Sequence, residues 1–327
     1  MLLTGATGFV GTHMLESVRH ARERAGAGVS VVAPVRDPAK LHDRLPWTRD
    51  AAWLEVPRGD VRDFVMPGGA VDLVIHAANT ASSAEIAANP EEIARMVVDG
   101  STRIRELAAI AGARRMLQVS SGSVSGAHFT PSLPIAEDDS GVPQGEGAAE
   151  RLARAKHDAE TALLHIASQP GPALVFARGF ALCGPWLPLD SAFAFGNFVG
   201  AAMRGGPVVV SGDGTPVRSY LYSGDMVAWL WTMLLHGVNG RPYNVGSARA
   251  VTIGELAHRV STLLGGAVEV AGTPTPGAPA HRHVPDTTRV RAELGLEETV
   301  SLDDAIVRTA KWWGERNARA RTSGSAH

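Results

Sequence analysis

The sequence predicts an α/β protein: a doubly wound parallel sheet joined to a smaller C-terminal lobe. Three observations carry that expectation. Short β-branched runs alternate with helical stretches up to about residue 180, the pattern that lays a parallel sheet between two helical layers. A turn with glycines at every third position, Gly5, Gly8 and Gly11, stands between the first strand and the first helix. Beyond residue 180, Gly, Pro and aromatic residues cluster in "CGPWLPLDSAFAFGNF" and "SGDGTPVRSYLY", which marks a change of architecture.

In chain order, "MLLTG" reads as a strand and "FVGTHMLESVRHARER" as a helix. "VSVVAPV", "AWLEVPRGD" and "VDLVIHAA" read as strands. "PEEIARMVVDGSTRIRELAAIAG" has apolar spacing near 3.6 and a glycine suited to close a helix. Strand "ARRMLQVSS", helix "EGAAERLARAKHDAETALLHIAS" and strand "PALVFARGF" complete the first part. In the second part "VTIGELAHRVSTLLG" and "SLDDAIVRTAKWWGERN" read as helices. The expected main domain is 1–180 with a returning segment near 220–247. The lobe is 181–219 and 248–317, and the tail 318–327, without apolar periodicity, is expected to be disordered. Asp225 is read as an N-cap, and Trp229, Trp231, Trp312 and Trp313 as packing residues.

Composition narrows the function classes. Of 327 residues, 45% are hydrophobic and 20% charged, as in a soluble globular protein, and a net charge of −2 gives no general attraction to nucleic acid or anionic membrane. No apolar run is long enough to span a bilayer. The first motif begins at the N-terminus and leaves no room for a signal peptide, and the single cysteine, Cys183, suits a reducing cytoplasm. Cys183 reads as an apolar filler, since no thiolate-stabilising cluster surrounds it in sequence.

The glycine turn carries specific chemistry. Gly5 permits the tight turn, Gly8 lets the backbone approach a pyrophosphate, and Gly11 lets helix and strand pack closely. Thr7, Phe9 and Val10 complete the turn, and the helix start favours phosphate anions. The reading is a Rossmann-type dinucleotide site. At the tip of the second strand, where an acid would hold the ribose hydroxyls of NAD, stands Arg36 after Val35. Arg36 suits a 2′-phosphate and favours NADP; the neighbouring Asp37 leaves NAD open. Asp60 reads as an adenine-edge contact or a turn cap.

With the further motifs "GDVRD", "HAA" (76–78), "VSSGSVSG" (119–126), "AKHDAE" around Lys156, "ARGFALCGP", "RPYNVGS" and "VPDTTRVRAELGL" in this order, the chain resembles the extended short-chain dehydrogenase/reductase family. More closely, it resembles the NAD-dependent epimerase/dehydratase group acting on nucleotide sugars. The resemblance covers roughly residues 1–315. It implies NAD(P) held by the residues of the turn, Asp60, Val61, Ala77, Ala78 and Lys156. It implies an NDP-sugar in the lobe and a homodimer through the helices near 88–111 and 148–168. It implies Ser121, followed by Gly122, at the sugar hydroxyl, and Lys156 as partner of a catalytic Tyr. Asn197 and Phe198 of "FAFGNF", Arg218 and Tyr220 of "PVRSYLY", and Arg282 of "APAHRHVPD" match nucleotide-diphosphate positions, where arginine forks and an aromatic ring are suited. No metal is implied.

The departures are as informative. Leu152 stands where the family has its Tyr, four residues before Lys156, and the three tyrosines Tyr220, Tyr222 and Tyr243 all belong to later motifs. Leu cannot transfer a proton. Gly122 and Ser123 replace the Asp-Glu of the family's 4,6-dehydratases, which disfavours that reaction. Ser125, Ala181, Cys183 and Val97 also depart from frequent family residues. Lys156 with a depressed pKa, Glu146, Glu150 or His128 are the titratable alternatives; Glu150 should point away from the Leu152 direction. The expected function is an NAD(P)-dependent nucleotide-sugar epimerase/dehydratase-like oxidoreductase with a non-standard acid/base. The alternatives are a catalytically silent or sensor-like NAD(P)-binding protein, or a reductase of a non-sugar ketone.

Overall fold

Each central strand offers its two faces to two different cores, and the apolar alternation shows how. In the computed structural model, which describes residues 1–66, 68–78, 88–126, 133–139, 141–190, 193–277 and 280–324, the strands in chain order are β1 (Leu2–Thr4), β2 (Val31–Val32), β3 (Leu54–Glu55), β4 (Leu73–His76), β5 (Arg115–Ser121) and β6 (Ala173–Gly179). They continue with β7 (Leu182–Cys183), β8 (Val208–Val210), β9 (Val217–Arg218), β10 (Leu221–Tyr222) and β11 (Pro242–Val245). The lobe adds β12 (Val251–Thr252), β13 (Val268–Val270) and β14 (Arg282–His283). The main sheet has seven parallel strands in the order β11-β6-β5-β4-β1-β2-β3.

The helices are α1 (Phe9–Ala25), α2 (Pro38–Arg44), α3 (Pro90–Ile110), α4 (Ala148–Ile166), α5 (Ala194–Met203), α6 (Ser223–His236), α7 (Ile253–Leu264), α8 (Thr288–Leu294) and α9 (Leu302–Gly324). Leu3, Ile75, Leu117 and Val175 pack one sheet face against Met14 and Leu15 of α1 and Met226 and Trp229 of α6. Leu2, Val74, Met116 and Leu174 pack the other against Ile104 and Leu107 of α3 and Leu163 of α4. Strand period two thus fills both layers. Full burial of each such side chain contributes about 1.5–3 kcal/mol. The lobe has its own core, with Phe195, Phe198, Val199, Leu256 and Val260.

Local chemistry sets the ends. α1 stops at Gly26 in the left-handed region (φ 64), whose N–H reaches back to Ala21 and Arg22 carbonyls. Asp37 caps α2 by accepting from Ala39 N–H at 3.1 Å, ahead of Pro38. Thr252 and Glu255 form a reciprocal capping box on α7.

Three expectations are corrected. The strand read in "VSVVAPV" pairs only at Val31–Val32, with a lone bridge from Val35 to Arg58. The segment after residue 317 is helical as far as it is described: α9 runs to Gly324, and Ala318, Arg319, Ala320 and Arg321 are good helix formers without an apolar stripe. Asp225 is not an N-cap. It sits within the first turn of α6, behind the N-cap Tyr222, buried, and accepts from Thr299 N–H (3.0 Å), Thr299 Oγ1 (2.5 Å) and Val300 N–H (3.1 Å), so it fastens the segment leading into α9. The tryptophans do pack: Trp229 is buried, Trp231 donates to Ser17 Oγ at 2.9 Å, and Trp312 and Trp313 meet edge to face.

Candidate active site

The C-terminal ends of β1, β4 and β5 bring the expected residues to one edge of the sheet, where open α/β sheets bind their ligands. Gly5 has φ +73, and a Cβ there would lie 2.5 Å from the Ala77 backbone. A Cβ on Gly11 would lie 2.2 Å from the Gly5 carbonyl oxygen. The turn therefore admits no side chain at either position and presses α1 against β1 and β4. Gly8 is the N-cap of α1, and no side chain caps that terminus. Its first-turn N–H groups have the polarity and approach that an anionic phosphate needs. Thr7, Phe9 and Val10 lie at this terminus, partly buried. Ala78 N–H donates to Thr4 Oγ1 at 3.3 Å, holding the Ala77–Ala78 segment beside the turn.

Further along the edge, Arg36 is exposed after β2. Asp37 is engaged in capping α2. Asp60 accepts from Arg62 N–H (3.1 Å) and Arg62 Nε (2.9 Å). Burial raises its carboxyl, but the bonds and charge of Arg62 and the charge of Arg36 outweigh that and hold it below its ordinary value. Asp60 is thus a turn cap within the charge field of Arg36. Val61 is buried against Gly100, where a Cβ would lie 2.7 Å from Val61 Cγ2.

Ser121 ends β5, paired with Gly179 of β6. Its Oγ lies 2.8 Å from Ser123 Oγ and accepts from Ser123 N–H at 3.2 Å, opening a short 3₁₀ turn, Gly122–Ser125. α4, which carries Lys156, packs on this turn and on β5. Burial pulls the Lys156 amine from 10.5 down to about 8, with the Glu160 charge opposing. Glu160, one turn on and buried, is held by Arg178 through Nε (3.3 and 3.2 Å) and Nη2 (2.8 Å). Close by is His76 at the end of β4, whose Nδ1 is hydrogen-bonded with Thr4 Oγ1 at 2.6 Å. Burial, then the Lys156 charge, pushes this imidazole down to about 3, so it is neutral; its Nε2 is buried without a partner among the described residues.

Leu152 turns toward α3, packing with Ala94 and Val98 around the small cluster of Val97, Ala155 and Ala159. The apolar face of α4 accounts for it. The alternatives drawn from the neighbouring loop fare unequally. Glu146 is ion-paired with Arg151 at 2.6 Å, Glu150 is exposed, and His128 lies outside the described residues. Of the tyrosines, Tyr243 is buried and donates to Glu293 at 2.9 Å, Tyr222 lies under Arg308, and Tyr220 packs on Phe195 with its phenol pushed up to about 12 by burial. Cys183 is fully buried, and burial raises its thiol, which suits a filler.

The lobe meets the turn through Phe180. A Cβ on Gly122 would lie 2.3 Å from Phe180 Cζ, and the Phe180 ring also packs on the His283 ring with centroids 4.6 Å apart. His283 sits on β14, parallel to β9, so that it pairs with Arg218 and Arg282 with Val217. Arg218 donates to the carbonyls of Val217 (2.8 Å) and His281 (3.1 Å) rather than to an acid. Ser219 Oγ, Arg282 Nε and His283 Nε2 are all buried and without partners among the described residues. Burial, then Arg218 and His281, pushes the His283 imidazole down to about 4. Asn197 is exposed on α5, and Phe198 is buried in the lobe core, which makes it a packing residue. His283, Ser219, His76 and Glu160 were not picked out by sequence reasoning. The "AHRHVPD" run held a signal in its paired histidines; a buried orphan nitrogen has none.

Fold and site define a Rossmann-type dinucleotide-binding protein with a small lobe closing over the strand ends. The chain belongs to the NAD dependent epimerase/dehydratase family, whose model matches residues 1–246. It is 28% identical over 308 residues to UDP-glucuronic acid decarboxylases 5 and 3 of Arabidopsis thaliana, covering 94% of this chain and 86% of each of theirs. Among solved structures it resembles UDP-glucose 4-epimerase of Thermotoga maritima, with a TM-score of 0.80, 22% identity, and coverage of 96% of this chain and 98% of that one. It also resembles the dTDP-glucose 4,6-dehydratase of Streptomyces venezuelae, solved with NAD, with a TM-score of 0.79, 22% identity and 97% of each chain. No helix among the described residues is long and apolar enough to cross a membrane.

Proposed function

We propose that this protein is an NAD(P)-dependent enzyme acting on a nucleotide sugar, with Lys156 as the acid/base in place of the missing tyrosine. The observation that carries the reading is the Lys156 amine, drawn by burial to about 8 on the helix that packs against the Ser121 turn. A group titrating there holds both protonation states near neutral pH, as proton transfer requires. Ser121 would orient the sugar hydroxyl. Arg218 and Arg282 would take the diphosphate, where Arg282 Nε lacks a partner among the described residues. The glycine turn, with Thr7, Phe9 and Val10, would hold the dinucleotide, which when bound supplies the hydride acceptor or donor.

Two finer points belong to the same reading. Exposed Arg36, with Asp37 committed to a helix cap, supports NADP over NAD. Phe180 packed over Gly122 leaves no room for an acidic side chain there, which speaks against 4,6-dehydration. A homodimer through α3 and α4 and a cytoplasmic setting complete the proposal. A second reading, a silent NAD(P)-binding protein, is favoured by one observation: Leu152 is an ordinary packing residue and leaves no titratable group at its position.

The deciding experiment incubates purified protein with NAD(P)+ or NAD(P)H and a panel of UDP- and dTDP-sugars, following products by mass and NMR. Turnover that Lys156→Ala abolishes supports the enzyme. No turnover by the native chain, activity created by Leu152→Tyr, and an effect of Lys156→Ala limited to cofactor affinity would establish the silent reading instead.

A further inference from the structure

Away from the strand ends, a cavity of about 580 Å³ opens between α2, the segment 186–190, the end of α5 and α9. Three arginines line it: Arg44 from α2, Arg204 just after α5, and Arg316 from α9. None forms an ion pair among the described residues, whereas Arg19, Arg49, Arg151 and Arg259 elsewhere on the surface each pair with an acid. Arg44 and Arg316 instead both lie over one indole, 5.0 and 4.4 Å from the Trp186 ring centroid. Arg44 Nη2 donates to the Trp186 carbonyl at 3.1 Å, and Arg44 Nε is buried without a partner among the described residues. Of the two acids lining the cavity, Asp43 is tied to Arg49 at 2.8 Å. Asp190 is exposed and pairs with none of the three arginines among the described residues.

Two features show that this arrangement is maintained against resistance. Trp186 has φ 66, the sole non-glycine residue with positive φ among those described, and a bulky residue in that region is strained. Burial, then the facing charge of Arg316, pulls the Arg44 guanidinium below its ordinary value, and burial does the same to Arg316. Two like charges gathered on one ring, without a carboxylate between them, lack the counter-charge that would stabilise them.

We propose that this cavity is a second anion site, which takes a small phosphate-bearing ligand between Arg44, Arg204 and Arg316. It shares no residue with the proposed cofactor and substrate sites, and the inference stands without the active-site reading. The ligand would supply the missing counter-charge through charge-assisted hydrogen bonds from arginine forks. The site is also linked to the cofactor turn. His13 packs on Phe9 with ring centroids 4.5 Å apart, and the Arg44 charge acts on His13.

The test is calorimetric titration of the full chain with inorganic pyrophosphate and, separately, with glycerol 3-phosphate. These two arms distinguish a free inorganic anion from an organic phosphate monoester. Arg316→Gln should weaken the binding of whichever probe binds by at least about tenfold. It should leave NADPH affinity unchanged. The double variant Arg36→Gln/Arg218→Gln, which lacks arginines of the other two phosphate sites, should retain that binding. Arg44 bonds the Trp186 backbone, so Arg44→Gln risks misfolding; Arg316, whose head makes no hydrogen bond among the described residues, decides the matter alone. Equal affinity in Arg316→Gln and the native chain overturns the proposal. So does no heat from either probe at millimolar concentration, or binding lost only in Arg36→Gln/Arg218→Gln.

Discussion

The sharpest consequence of the proposed chemistry is a pH dependence set by Lys156. Burial draws its amine from 10.5 to about 8, so at pH 7 roughly one molecule in ten carries it neutral, against roughly one in a few thousand for an exposed lysine. A lysine pKa lower in the fold than in the unfolded chain means that folding disfavours the cation. The penalty, about 3 kcal/mol, is complete below pH 8 and fades as pH rises from 8 toward 10.5. Lys156→Met should therefore stabilise the protein at pH 6 by up to that amount and give no such gain above pH 10.5, measured by denaturant unfolding. In the enzyme, kcat/KM in the oxidising direction should climb with pH and level off above about 8. Lys156→Arg keeps the charge and hydrogen-bond donors but stays protonated, so it should lose about 100-fold or more in rate. Its cofactor affinity should survive. A flat profile between about pH 6.5 and 9, or an active Lys156→Arg enzyme, would refute Lys156 as the acid/base.

Other perturbations test the surrounding structure. Glu160→Gln removes the charge that opposes the fall of the Lys156 pKa, so the rate profile should shift to lower pH; it also takes the ion-pair partner from the partly buried Arg178, which keeps its bond to the Glu137 carbonyl, a loss of about 1–3 kcal/mol in unfolding free energy. Gly122→Ala should cost about 1–3 kcal/mol through the clash with Phe180, and Phe180→Ala in the same chain should recover part of it, a coupling read by a double-mutant cycle. Arg36→Ser should weaken NADPH by about tenfold or more and leave NADH unchanged in fluorescence titrations; equal losses for both would remove the 2′-phosphate role.

Much of this was legible because the sequence obeys local rules. The glycine triad, the 3.6 spacing of α3 and the β-branched runs of β4, β5 and β6 state their own structure. What failed to show had non-local causes. β2 keeps only Val31–Val32 because its neighbours β1 and β3 set how far the ladder runs. Asp225 reads locally as a cap, yet its partners Thr299 and Val300 lie 74 and 75 residues away. In the site, Ser121 and Lys156 were expected from the family resemblance alone. His76, Glu160 and His283 matter through burial and neighbours, and neither property is written in a linear pattern. Leu152 was legible as a departure, but only the packing of α3 on α4 shows which way it faces.

The orphaned polar atoms decide how the missing tyrosine should be weighed. Ser219 Oγ, just after β9, and Arg282 Nε and His283 Nε2 on the paired β14 are buried without partners among the described residues. Leaving such a group unsatisfied costs about 1–3 kcal/mol. A chain that had merely lost its chemistry could replace Ser219 and His283 by apolar residues and become more stable. Their presence is the state expected of a site completed by a polar ligand, while Leu152, already docked against α3, asks for none. It follows that Ser219→Ala and His283→Leu should each raise the unfolding free energy of the unliganded protein by about 1–3 kcal/mol. Each should also weaken binding of a UDP-sugar, measured by calorimetry with cofactor present. A variant that is less stable without ligand, or one that binds the UDP-sugar as tightly as the native chain, would show that these atoms serve the fold and not a ligand.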